Sequence, residues 1–302
     1  MFAFLQKKIA VPAQCVASAC AWDSYEGWLA IGSNEGFLKL IRLEQIKGGA
    51  PAGQGTESID LPNHNGNLTL ITWNDKYRKL TTVDSTGTII VFMKHNGQWV
   101  EEMVNNRKVS FVSDMKWCPD GTKVCIAYED GNVIVGDVEG NRKWGKEYSF
   151  RVAMVSWSPT SKELLVGTNQ GEVFMYDEYG ELLQQLRMQG LQRIVEPEQF
   201  LCPQIPLAGV EWFEEAQMYS DECPVGLCVA YQQGRLILMK NDKDEDPIAV
   251  DTSMVLSKVR WNPTGNMLAV AGSSLEYEEK RAVVKFFDSK GNHLKNLRIP
   301  NA

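Results

Sequence analysis

The chain has 302 residues, 44% hydrophobic and 23% charged, with a net charge of -7, which describes ordinary globular material long enough for one large domain. It contains no run of about 18 apolar residues, which excludes a membrane-spanning helix. It also lacks the concentrated basic face that a phosphate backbone needs, so nucleic acid is disfavoured.

The opening MFAFLQKKIAVPAQC places Lys7 and Lys8 after a few apolar residues instead of before a long apolar core. FAFLQKKI therefore predicts a strand and not a signal peptide. Trp22 ends the next β-like run, and WLAIGSNEGFLKLIRL predicts two strands around a polar turn. GGAPAGQG at 48 to 55 lacks the Gly-Lys-Ser/Thr end of a phosphate loop and reads as a flexible loop. NHNG, with His64, leads to a second tryptophan, Trp73, and to the strand pair KLTTVDSTGTIIVFMK.

The pattern then repeats. Trp117 precedes KVCIAYEDGNVIVGDV, with NRKWGK in a following outer strand, and Trp157 precedes ELLVGTNQGEVFMYDE. After a long loop at 190 to 206, Trp212 precedes GLCVAYQQGRLILMKN. Trp261 precedes MLAVAGSS and AVVKFFDS, a pair interrupted by SLEYEEKR. Six tryptophans (Trp22, Trp73, Trp117, Trp157, Trp212 and Trp261) thus recur every 40 to 55 residues, with about four strands per unit, the spacing of propeller blades. A four-stranded blade cannot bury both faces alone, so blades pack radially, and each tryptophan is expected in the wedge between two of them.

The strand count predicts an all-β propeller over 1–302 with six blades visible, plus an N-terminal strand of a seventh. The three inner strands of that seventh blade would follow Pro300. This incomplete ring is favoured over six blades that close by themselves, because an unclosed ring exposes a sheet edge that natural proteins normally cover.

Catalysis has no positive support. There is no Gly-x-Ser-x-Gly elbow and no local Ser, His and Asp signature, and adjacent pairs such as Glu101-Glu102 point to opposite faces of a strand. With three histidines and seven scattered cysteines, ligand spacings are absent and no metal or cofactor is expected. Cys20, Cys118, Cys125 and Cys228 fall in predicted strands and suit reduced core thiols in the cytoplasm.

Acids cluster late. Glu214, Glu215, Asp221 and Glu222 follow the innermost strand of the fifth blade, and Asp242, Asp244, Glu245 and Asp246 follow its third strand. Loops in those two places emerge on one propeller face, so together they predict an acidic surface suited to a basic protein partner.

Individual repeats resemble WD40 repeats, whose usual marks are a His entering the blade, an Asp before the third strand and a Trp-Asp at its end. His64 matches the first and Asp130 the second, while Tyr176-Asp177 and Phe287-Asp288 stand where Trp-Asp would stand. Ile41-Arg42, Phe92-Met93, Gly136-Asp137 and Met239-Lys240 have lost that mark. The stretches TWNDKYRKLTTVDSTGTIIVFM, WVEEMVNNR, IAYEDGNVIVGDVEGNRKWGK and MLAVAG are similar to the N-terminal WD40 propellers of the WD repeat-containing protein 35 family, subunits of intraflagellar transport complex A. The similarity runs in order from Phe2 to Pro300, and a tubby-like family shares a related propeller.

The resemblance implies a non-enzymatic scaffold at the cilium, its axoneme and its basal body, acting in retrograde transport and in ciliary entry of membrane proteins. Its partners would be other complex A subunits, tubby-like cargo adaptors and ciliary membrane cargo. The tubby-like likeness implies a different role, as the substrate-receptor propeller of a ubiquitin-ligase adaptor.

Overall fold

A computed structural model describes residues 9, 12, 14–43, 56–186, 205–213, 226–262, 264–275 and 282–298. They form six four-stranded antiparallel sheets, each a meander of consecutive strands. The first blade holds β1 (Ala17–Trp22), β2 (Trp28–Ser33), β3 (Leu38–Leu43) and β4 (Thr56–Leu61). The second holds β5 (Leu68–Asn74), β6 (Lys79–Asp84), β7 (Thr88–His95) and β8 (Gln98–Asn106). The third holds β9 (Val112–Trp117), β10 (Lys123–Tyr128), β11 (Asn132–Asp137) and β12 (Arg142–Glu147). The fourth holds β13 (Val152–Trp157), β14 (Glu163–Thr168), β15 (Val173–Asp177) and β16 (Leu182–Gln185). The fifth holds β17 (Leu207–Trp212), β18 (Leu227–Tyr231), β19 (Arg235–Met239) and β20 (Ile248–Asp251). The sixth holds β21 (Met254–Trp261), β22 (Met267–Ser274), β23 (Ala282–Asp288) and β24 (His293–Arg298). The fold is a six-bladed β-propeller in the described residues, as the tryptophan repeat predicts. The strand expected over FAFLQKKI lies outside them apart from Ile9.

Local chemistry sets the meander. In five blades the turn between the second and third strands ends on a glycine with positive φ, such as Gly131 at 89°, whose N–H bonds back three residues, there to the Tyr128 carbonyl. A Cβ on Gly131 would sit 2.4 Å from the Tyr148 carbonyl in the loop that enters the next blade. The glycine therefore serves both the turn and the close approach of a neighbouring loop. At the opposite rim, Asp137, Asp177 and Asp288 end their third strands and accept turn N–H groups, from Asn141, Glu181 and Asn292 at 2.8 Å each. Those carboxylates fix the entry to the outer strand.

The inner strands β1, β5, β9, β13, β17 and β21 are neighbours in that order. The cores lie between blades and not within them. Leu38, Leu40, Leu80 and Phe92 fill the first junction, and Val133, Val135, Leu164 and Tyr176 the third. Met175, Leu227 and Met239 are among those that fill the fourth, and Leu238, Leu268 and Phe287 the fifth. Each such aliphatic or aromatic side chain contributes about 1.5–3 kcal/mol when fully buried.

Candidate functional site

Five of the six tryptophans, Trp73 onward, project toward the blade before their own. Trp73, Trp117 and Trp157 donate their Nε1–H backward, to the Ala21 carbonyl at 3.1 Å, Thr81 Oγ1 at 3.0 Å and the Lys116 carbonyl at 3.1 Å. Trp212 and Trp261 pack into the same kind of wedge, yet their Nε1 atoms meet no acceptor among the described residues. Trp22 departs from the expected wedge position. It is 53% exposed, because no described blade lies on the face of β1 that its ring occupies.

His64 has partners the sequence did not reveal. Its ring nitrogens meet Asp84 Oδ2 at 3.0 Å and Thr82 Oγ1 at 2.7 Å, all three being side chains of the second blade or the loop entering it. Asp84 also accepts the Thr86 and Thr88 backbone N–H groups. Burial disfavours its charged form, but bonds from Thr86 and His64 outweigh that and hold its pKa below the ordinary carboxylate value. The blade thus keeps the His and the Asp of a WD40 repeat, with Phe92 in the tryptophan's place. Asp130, the Asp singled out in the sequence, is instead a surface residue paired with Arg107 at 2.9 Å. The His64, Thr82 and Asp84 side chains are sealed from solvent, so this constellation tethers a loop and has no access to a substrate.

Outer strands link blades as well. Trp144 in β12 donates to the Glu178 carbonyl at 2.8 Å and lies over Gly180, while Lys123 pairs with the Glu178 carboxylate at 2.7 Å. The NRKWGK stretch is therefore the third blade's clamp on the fourth.

Of the predicted acidic surface, Glu214, Glu215, Asp221 and Glu222 lie outside the described residues. So do the 190 to 204 part of the long loop, the 48 to 55 loop, and Glu276, Glu278 and Glu279. Asp242, Asp244, Glu245 and Asp246 lie in the turn between β19 and β20, where two carboxylates serve structure. Asp242 receives Gln184 Nε2 from the fourth blade at 2.7 Å, and Asp244 accepts the Lys240 and Asp246 N–H groups. Glu245 and Asp246 are exposed in the same turn.

Cys118 falls in the turn after β9 rather than in a strand, where its thiol meets Asp120 and the Lys123 N–H. Cys20 lies in β1 but is exposed, whereas Cys125 and Cys228 are buried and free, their thiols pushed up by burial. Among the described residues there is no group of three or more His, Cys, Asp or Glu placed to hold a metal. None of their helices is long and apolar enough to cross a membrane.

Compared with known proteins, residues 1–302 match the model of the WDR35/TULP4 N-terminal β-propeller family. The chain belongs to that family. It is similar to WD repeat-containing protein 35 of Rattus norvegicus, 38% identical over 99% of this chain and 26% of that protein. Tubby-related protein 4 of Mus musculus is 29% identical over 90% of this chain and 19% of that protein. The chain thus spans about a quarter of the first relative. Among solved structures, Chaetomium thermophilum Sqt1 bound to the N-terminus of the ribosomal protein L10 aligns with a TM-score of 0.68 at 14% identity. It covers 93% of this chain and 74% of that one, a likeness of fold alone.

Proposed function

We propose that this WDR35/TULP4-type propeller is a non-enzymatic protein-interaction platform of intraflagellar transport complex A, acting in retrograde ciliary transport and in ciliary entry of membrane proteins. The observation that carries the reading is the alignment to WD repeat-containing protein 35 at 38% identity along 99% of the chain. The sealed His64, Thr82 and Asp84 set supports the non-enzymatic part, since the histidine most suggestive of chemistry is out of reach of any substrate.

On this reading the protein works in the cytoplasm and at the cilium, its axoneme and its basal body. Other complex A subunits are its stable partners, with tubby-like adaptors and membrane cargo as transient ones. The acidic turn carrying Glu245 and Asp246, joined by Glu214, Glu215, Asp221 and Glu222, is the proposed contact for a basic partner. Affinity purification of the full-length gene product from ciliated cells tests the assignment: complex A subunits should co-purify, and their absence would sink it. Recovery of a cullin and its adaptor instead would favour the ubiquitin-ligase role suggested by the 29% identity to tubby-related protein 4.

A further inference from the structure

The junction between the second and third blades is packed differently from the other described junctions. Directly across from Leu29, Leu80, Val124, Leu164, Leu227 and Leu268 of the second strands stand the third-strand residues Ile41, Phe92, Gly136, Tyr176, Met239 and Phe287. From the second blade onward that side chain plugs the wedge against the blade before, except in the third, where Gly136 supplies nothing. A Cβ on Gly136 would meet no atom closer than 3.4 Å, the Asn141 carbonyl oxygen, so the backbone leaves room for a side chain.

A second position is undersized too. In the outer strands, Met103 pairs across from Val91 as Trp144 pairs across from Val135. Met103 sulfur lies over Gly140 as the Trp144 ring lies over Gly180. A thioether covers the turn where the next junction has an indole. Together the two substitutions leave a cleft of about 370 Å³ walled by Ile89, Val91, Met115, Trp117, Ile126 and Ile134, a size and an apolar lining typical of ligand pockets.

The mouth is charged, and one of its carboxylates is left without a counter-ion among the described residues. Glu102, Asp137 and Glu139 stand there against Arg142, whose guanidinium folds back over Gly145. Glu102 pairs with Lys79 at 2.6 Å and Asp137 with Lys143 at 3.2 Å. Glu139 is exposed and forms no ion pair among the described residues.

We propose that this cleft is a docking pocket for a partner peptide that inserts one aromatic side chain and sets a lysine or arginine beside Glu139. The aromatic part follows from what fills the corresponding space in the second, fourth and sixth blades, namely Phe92, Tyr176 and Phe287. The basic part follows from Glu139, the mouth carboxylate that forms no ion pair among the described residues. The pocket lies between the second and third blades, whereas the β19–β20 turn belongs to the fifth, so it can engage a partner independently of the surface proposed above.

Methyl-resolved NMR of the full chain tests this, with acetyl-GSFRSG-amide as the probe at millimolar concentration. Met103, Met115, Ile126 and Ile134 methyls should shift on titration. The Phe-to-Ala peptide should produce no shift, and the Arg-to-Glu peptide should bind about tenfold more weakly, a loss of one ordinary charge contact. Gly136→Phe should abolish the shifts while raising Tm, and Met103→Trp serves the same purpose if Gly136→Phe fails to fold.

Four outcomes overturn the proposal. They are no shift at these methyls, equal binding of the Phe-to-Ala peptide, unchanged binding in the filled variant, or phenethylamine alone binding as tightly as the peptide. A fifth is the same shifts appearing without peptide as protein concentration rises, which would make the occupant a second copy of this chain.

Discussion

At the residue scale, buried polar groups fall into two kinds, those whose partners are complete and those left short. Asp84 is the complete case. Its folded pKa is lowered, so its contribution to stability is whole above the unfolded carboxylate pKa of about 3.9 and is lost as pH falls through the folded value. His64→Ala leaves Asp84 and Thr82 buried without that partner, and should cost about 3 kcal/mol in urea denaturation at neutral pH.

Asp75 is the opposite case. Burial raises its pKa, opposed by the Ser24 hydroxyl bonded to Oδ2 and reinforced by nearby Asp23, while Oδ1 has no partner. Its charged form is therefore a liability above the folded pKa and none below the unfolded one. Asp75→Asn should raise the thermal midpoint at neutral pH and leave it unchanged in acid; an equal shift at both would contradict this account.

At the element scale, strand identity and strand order are legible in the sequence because both are local. Alternating Val, Ile and aromatic runs split by Asp and Gly fix hairpins, and the tryptophan at the end of each inner strand marks the blade. What was not legible depended on which surfaces meet. TVDSTG and YEDG look alike as turns, yet only Asp84 lies beneath the loop that carries His64, and nothing local says so. Trp22 and Trp157 are likewise indistinguishable in sequence, and they differ because among the described residues only Trp157 has a blade in front of it. Trp157→Ala should therefore cost about 3–5 kcal/mol, the usual range for a buried aromatic. Trp22→Ala should cost less than about 1 kcal/mol, since surface changes are usually small. Equilibrium denaturation of the two variants side by side checks the contrast. Gly136 was readable as a lost WD40 mark, but the void it leaves needed the outer strand's Met103 as well, some thirty residues away in the chain.

At the scale of the whole molecule, the described blades pack on their neighbours in sequence, so stability is a sum of junctions rather than one shared core. The second-to-third junction, with Gly136 and Met103 in place of large side chains, is expected to be the weakest of the five described. Lys79 partly offsets this, its Nζ reaching the Val138 carbonyl at 2.8 Å across the gap. Native-state hydrogen exchange in low denaturant should show β5–β8 and β9–β12 parting before the third and fourth blades, which Trp144 and Tyr176 hold together. Uniform exchange across all junctions would refute that order. Gly136→Phe should erase the difference.

The backward aim of the tryptophans also bears on how the chain is made. Each inner-strand tryptophan from Trp73 onward packs on the blade before its own, a sheet that has already left the ribosome. A hairpin forms in microseconds, while a blade of about fifty residues takes several seconds to synthesise. Each new inner strand thus emerges facing a finished wall, and the propeller can assemble in the order of translation, whereas the outer-strand ring of Trp144 closes its clamp only once the fourth blade has followed.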